Sequence, residues 1–379
     1  MLVAAVNAGA DAVYFGLKEF NMRNSAKNFT IKDLDKIEKI CKPKGIKQYL
    51  TLNTIIYDSE LKKLEQTIKK VKGKVDAVIC WDLSVIQLCK KYKIPFHIST
   101  QASISNSETA KFYKKLGAER VVLARELSLK QIKQISKIVP VETFIHGAMC
   151  VSISGRCFMS QFMFGKSANR GQCIHPCRRS YIVKDSQEGK ELKLENSKVM
   201  SAKDLCVLPF IEKLKQAGIT SFKIEGRSRD PRYVDTVVRI YRNALDNKLT
   251  QKQIKQSLEE LNKVYTKGFS SGFFLGSPTS DDFAKVEHSA ATEKKHFVGN
   301  IKHYYPKIKV AEIKLVSPLK LNDKIAIIGN TTGIINTKIT SMEIKNKPIK
   351  QATKPQQVGI KVPSYLRKND EVYIIKKSK

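Results

Sequence analysis

What most limits the fold of this chain is an alternation that repeats along its first 226 residues. Short apolar, β-branched runs recur at 11–16, 48–53, 76–82, 95–101, 120–125, 141–147 and 221–226. Helical patterns lie between them, as at 31–43, 60–71, 107–116 and 128–138. In the first of these, Leu34, Ile37, Ile40 and Cys41 return at helical spacing. Repeated strand–helix units with short connections predict an α/β fold with a parallel sheet. The expected architecture is a TIM-like (β/α) barrel, with seven of eight strands visible. Several runs end in a polar residue: Asn53, Asp82, Gln101, Arg125, His146 and Glu225. In such a barrel the carboxyl ends of the strands form the active face.

The pattern breaks between 150 and 205, where Cys, Gly, Arg and Ser dominate. Helices are predicted at 204–217, 231–247 and 251–265. The Gly- and aromatic-rich stretch 267–278 reads as a linker. From about 296 short strands alternate with turn signals, the texture of a small all-β barrel. The expected domains are a barrel over 1–266 with a Cys-rich loop at 147–206, a linker at 267–295 and a C-terminal β-barrel at 296–379. With 379 residues, 42% of them hydrophobic, such a chain buries a core without disulfides. It has no apolar run long enough to span a bilayer and no secretory pattern at its start, so a cytoplasmic location is expected.

Charge narrows the partners. Lys and Arg number 69 against 35 Asp and Glu, a net charge of +34. Such a field concentrates polyanions, nucleic acid first among them. Only 13 of the cations are Arg, and nine of these fall between Arg156 and Arg242. Where Lys is the default cation, clustered Arg points to recognition of carboxylate or phosphate by a planar fork. Arg156, Arg170, Arg178, Arg227 and Arg229, with Asn53 and Gln101, are therefore candidate substrate-binding residues.

The cysteines carry the most specific signal. Cys150, Cys157, Cys173 and Cys177 fall within 28 residues. Four Cys in a Gly-rich loop at a strand end indicate a metal site. Zinc favours closely paired ligands, which only the second pair supplies. The wider first spacing suits a loop around a larger object, and an iron–sulfur cluster is the expected group. Gly155, Gly165 and Gly171 would allow close backbone approach to it. Cys206 is an alternative fourth ligand. Cys41, Cys80 and Cys89 read as buried apolar residues.

A second charged string, 222–245, holds Lys223 and Glu225 two apart on a strand and hence on one side of it. With His146 they are the candidate catalytic groups. Asp230 and Pro231 suit a helix start, where Arg229 and Arg232 would help to form an anion pocket. No HExxH, Walker loop, GxGxxG after a strand or GxSxG elbow is present.

These residues resemble a known family. The Cys-bearing string 142–181 is similar to the signature of peptidase family U32, and 222–245 to its second conserved block. GADAVYFGLKEFNMRNSAKNF (9–29), ISTQASISN (98–106) and KGFSSGFFLG (267–276) also fit. The wording of the Cys block resembles most the members that convert a tRNA wobble uridine to 5-hydroxyuridine, with prephenate as hydroxyl source. The resemblance implies a 4Fe–4S cluster on Cys150, Cys157, Cys173 and Cys177. It also implies tRNA as partner, a paralogous subunit or a homo-oligomer, and a C-terminal barrel of the translation-factor type. Relatives act on a ribosomal RNA cytidine or on ubiquinone, and the family name points to collagenase-like peptidases. Members of the family open on a strand close to ELLAPAGN, which this sequence lacks.

Overall fold

The computed structural model describes residues 1–379 apart from 25, 27, 154–155, 180, 195–199, 227–228 and 379. Its first unit is α/β. Strands β1 (Ala12–Gly16), β2 (Lys47–Thr51), β3 (Ala77–Cys80), β4 (Phe96–Ile98), β5 (Arg120–Val122) and β6 (Val141–Gly147) pair in parallel in chain order. All of β3 and β6 is buried, as expected of strands covered on both faces. Helices α1 (Leu2–Asn7), α2 (Leu34–Cys41), α3 (Leu61–Val71), α4 (Leu83–Tyr92), α5 (Ser107–Lys115) and α6 (Leu129–Ile135) alternate with these strands. On α3 the fully buried Leu64, Ile68 and Val71 form one apolar stripe while its lysines face out.

After β6 the chain makes the Cys loop, a short helix α7 (Met159–Phe164) and a hairpin of β7 (Tyr181–Lys184) and β8 (Glu191–Leu194). The helix predicted at 204–217 is only partly present. Asp204–Cys206 is instead strand β9, because it finds an antiparallel edge at His146 and Gly147 of β6. The helical part is α8 (Ile211–Gln216). Strand β10 (Ser221–Ile224) then returns parallel to β6, with its register shifted between Lys223 and Ile224. Helices α9 (Pro231–Asp246) and α10 (Gln251–Asn262) follow, the first capped by Asp230 Oδ1 on Tyr233 N at 2.9 Å.

The seven strands expected from the sequence are thus all present. Among the described residues β1 and β10 do not pair; Tyr14 Oη reaches across to the carbonyl of Ile224 at 3.2 Å. A cavity of 1710 Å³, lined in part by both strands, lies between them.

The stretch 267–295, expected as a linker, is largely built into this unit. Strand β11 (Phe269–Ser270) pairs with β9, while Lys267, Phe274 and Ala284 are buried. The aromatic content of the stretch serves the core, as at Phe274.

The second unit is antiparallel. Its strands are β12 (Glu293–Tyr305), β13 (Val310–Leu315), β14 (Leu319–Lys320), β15 (Lys324–Gly329), β16 (Gly333–Lys338), β17 (Met342–Ile344), β18 (Lys347–Pro348), β19 (Gln351–Ala352), β20 (Gln357–Lys361) and β21 (Glu371–Lys377). Eight of them form one sheet, in the order β16-β15-β21-β12-β13-β20-β17-β18. It has its own apolar core around Ile301, Ile313, Ile327 and Val358. The units touch where Lys295 Nζ meets Asp230 at 3.1 Å and where Arg232 pairs with Glu293. No helix among the described residues is long and apolar enough to cross a membrane.

Candidate active site

Two polar layers lie along the parallel strands. The lower one, toward the amino ends, is centred on Glu142. Its carboxylate accepts from Lys223 Nζ at 2.7 Å, Ser221 Oγ at 2.8 Å and Arg120 at 3.3 Å. Lys223 also lies 4.2 Å from the centre of the Tyr14 ring, and Arg120 5.6 Å from that of Tyr49. Burial alone would raise the Glu142 pKa; Lys223, Ser221 and Arg120 outweigh it and bring it to about 2. His97 is buried beside this group. Desolvation, reinforced by Arg120 and Lys223, lowers its pKa to about 4, so the ring is neutral near pH 7.

Lys223 and Glu225 are divided between layers. Lys223 is held by Glu142, whereas Glu225 lies beyond the strand end, 3.6 Å from Arg23. His146 is a core histidine. It is 2% exposed, its Nδ1 lies 3.3 Å from Tyr241 Oη, and Tyr233, Tyr241 and Phe269 surround it. Burial lowers its pKa to about 3, helped by Arg229, which keeps the ring neutral.

The upper layer is the rim at the carboxyl ends. Gly147 makes the exit from β6 possible: its φ is +109°, and a Cβ there would lie 2.8 Å from Glu225 Cβ. Gly171 lets the Cys loop press on the segment after β1. Its φ is +81°, and a Cβ would meet the Asn21 carbonyl at 2.3 Å. The close approach at Gly171 is therefore to Asn21 and Met22, while Gly165 has open space around it and Gly155 lies outside the described residues.

Cys150, Cys157, Cys173 and Cys177 are exposed or half-buried, unlike Cys41, Cys80, Cys89 and Cys206. Burial pushes the Cys177 thiol up. Arg178 pulls it down, and Cys150, Cys173 and Cys157 all lie near enough to push it further up. Cys157 N donates to Asn169 Oδ1 at 3.0 Å, and Ser160 Oγ lies 3.8 Å from Cys173 Sγ. Among the described residues no three His, Cys, Asp or Glu side chains are close enough to hold a single metal ion. Arg23 and Arg178 border the thiols, a positive setting that suits an anionic cluster. Cys206 is in the core, with its Sγ 3.6 Å from Tyr241 Oη.

The rim brings some of the expected binding residues together. Asn53 Nδ2 donates to Gln101 Oε1 and Ser99 Oγ, each at 3.2 Å, and Arg156 donates to the Gln101 carbonyl at 3.3 Å. Other arginines are held by other partners. Arg170 pairs with Glu60 and stacks 4.7 Å from the centre of the Tyr57 ring. Arg178 donates to the Met149 carbonyl at 3.3 Å. Arg229 lies 3.7 Å from the centre of the Tyr265 ring, and its buried Nε has no hydrogen-bond partner among the described residues. Arg227 lies outside the described residues.

Arg23 and Arg125 complete the rim but were not among the expected binding residues. Glu225 holds Arg23 firmly protonated, and Cys173 and Cys150 add to this. Arg125 donates to the Ala148 carbonyl at 2.7 Å and stands 3.9 Å from the centre of the Phe144 ring. The signal in the sequence was scarcity: in a chain with few Arg, each one outside the main cluster marks a place where Lys does not serve.

Comparison with known proteins covers the part of the chain that carries this site. The sequence profile described as peptidase family U32 matches residues 1–283, which include every rim residue named above. An uncharacterised protease of Methanocaldococcus jannaschii is 40% identical, over 100% of this chain and 96% of its own length. A protein named collagenase from Porphyromonas gingivalis is 39% identical, over 98% of this chain and 94% of its own. A tRNA hydroxylation protein of Bacillus subtilis is 34% identical, over 86% of this chain and 81% of its own.

Proposed function

The chain belongs to peptidase family U32, and we propose that it hydroxylates RNA, converting a tRNA wobble uridine to 5-hydroxyuridine with prephenate as hydroxyl source. The observation that carries this reading is the convergence of four thiols beside the Arg23–Glu225 pair. The tRNA-hydroxylating relative from B. subtilis supports it.

Cys150, Cys157, Cys173 and Cys177 would hold a 4Fe–4S cluster, whose chemistry when bound is electron transfer or Lewis-acid activation. The chain's own residues supply the rest. A dicarboxylate such as prephenate matches guanidinium forks, and Arg23 and Arg178 border the thiol group with Arg125 behind them. Glu225 fixes Arg23 and adds a rim carboxylate able to exchange a proton with bound substrate. Asn53 and Gln101, tied to each other and to Ser99, present amide dipoles in a fixed orientation. RNA is drawn by the net charge of +34. A wobble base is already unstacked, so it reaches the rim without opening a duplex.

The test is reconstitution. The C–H to C–OH conversion releases two electrons, so chain purified without oxygen, given prephenate, an artificial two-electron acceptor and tRNA from a strain lacking the gene, is expected to form 5-hydroxyuridine detectable by mass spectrometry. Omitting prephenate should abolish the product. A second reading, peptidase, is favoured by the collagenase name of the P. gingivalis relative. Among the described residues no Ser or Cys nucleophile is hydrogen-bonded to a His. Gelatin incubated with the same preparation decides it: cleavage without nucleoside product would replace the first reading.

A further inference from the structure

Helix α7 is built inside out. Its Ser160 is 1% exposed, and the hydroxyl accepts from Ile174 N at 3.3 Å, pinning the helix to the Cys loop. The apolar residues face solvent instead. Phe162 is 85% exposed, Phe158 just before the helix 61%, and Met163 and Phe164 are exposed too. Helices on globular surfaces ordinarily bury that stripe. Leaving two phenylalanines in water forgoes the gain of burying them, which marks the face as one meant to be covered. Tyr181 Oη, 3.8 Å from Met163 Sδ, joins the β7–β8 hairpin to it, and that hairpin exposes Ile182 and Leu192.

The surrounding charge identifies the cover. Positions 143–184 contain no Asp or Glu but hold Arg156, Lys166, Arg170, Arg178, Arg179 and Lys184. Arg179 stands 4.5 Å from the centre of the Phe164 ring, and Phe158 and Phe162 have ring centres 6.1 Å apart. Of these cations, Arg170 is paired with Glu60 and Lys184 with Glu191, which leaves Lys166 and Arg179 beside the rings. Flat aromatic faces interleaved with guanidinium, on a segment with no carboxylate of its own, match unpaired nucleobases strung on phosphates. Phe158 directly follows Cys157, so a base stacked there lies next to the thiol group.

We propose that the exposed aromatic face of α7, Phe158 with Phe162 and Phe164, is a stacking platform for unpaired bases of an RNA loop, with Arg179 and Lys166 taking its phosphates. The proposal rests on the RNA reading above and adds the surface that receives the RNA.

The test is binding rather than activity. Full-length chain purified without oxygen is titrated into a fluorescein-labelled RNA stem-loop and into a blunt duplex of the same stem. The stem-loop is expected to bind more tightly. Phe158→Ala with Phe162→Ala should weaken stem-loop binding by about ten-fold or more and leave duplex binding unchanged. Phe162→Trp in place of Phe162→Ala, with Phe158→Ala kept, should restore much of it, because an indole stacks at least as well. Circular dichroism and the unfolding midpoint should match wild type, as the replaced rings are solvent-facing. Stem-loop affinity unchanged in the double variant would overturn the platform while leaving the RNA reading intact. So would a wild-type dimer that the double variant dissociates without loss of RNA affinity, since the face would then belong to a protein contact. Failure of the wild-type chain to bind either RNA would instead remove the RNA reading and the platform with it.

Discussion

The two polar layers of the parallel sheet are made by the same strands and differ in one respect. In the lower layer each charge meets its opposite: Glu142 takes Lys223, Ser221 and Arg120 at 2.7, 2.8 and 3.3 Å. In the upper layer Arg229 Nε and Asp204 Oδ1 are buried without hydrogen-bond partners among the described residues, and four thiols stand exposed or half-buried. Buried polar groups are normally satisfied. Among the described residues the lower layer has orphaned atoms too, Arg120 Nε and His97 Nδ1, but its charges are paired and it holds no exposed group. Residue type does not separate the two, since each contains Arg and Glu. Exposed and half-buried thiols at the open rim do.

The largest effect that would sharpen this contrast is on stability. Glu142→Gln leaves Lys223 buried without its charge partner and is expected to cost about 3–5 kcal/mol in denaturant unfolding. A loss under about 1 kcal/mol would mean that the lower layer is not the keystone described here. Arg23→Ala is expected to do the reverse. Nucleoside formation should fall by about a hundred-fold while stability changes by less than about 1 kcal/mol, because Arg23 is a third exposed and its bond to Glu225 is long. Equal losses in both measurements would erase the distinction between the layers.

A smaller effect concerns pH. The folded-state pKa is about 4 for His97 and about 3 for His146, against 6.5 for the free side chain. Below pH 6.5 the unfolded chain binds protons that the folded chain refuses. Stability is whole above that value and declines as pH falls toward about 4 and then 3. His97→Gln should flatten the upper part of this decline, as read by urea midpoints between pH 7 and pH 4.5. An unchanged slope would place the ring in contact with water. The smallest effect belongs to the surface. Arg242 pairs with Asp246 and Asp11 on exposed ground, and Arg242→Ala should change stability by no more than about 1 kcal/mol.

Much of the scaffold was legible because it depends on local pattern. The β-branched runs fell within three residues of β1–β6 and β10, and the stripe of α3 is visible as spacing alone. Asp204–Cys206 was misread as helix because its strand character comes from the open edge at His146, a contact made only in three dimensions. The role of Lys223 was hidden for the same reason: its partner Glu142 lies 81 residues away. The period-two rule put Lys223 and Glu225 on one side of a strand, but it carries no information about height along the sheet. The cysteines were legible through spacing, whereas Arg23 was not, since nothing near it in the chain announces Glu225.

The account's central claim is that the thiol group of the upper layer makes the product. The most direct measurement is mass spectrometry of tRNA nucleosides from a strain lacking this gene, complemented with wild type or with Cys157→Ser. The account predicts 5-hydroxyuridine with the wild-type gene and none with the variant, at equal protein levels. Equal 5-hydroxyuridine with both genes would contradict it.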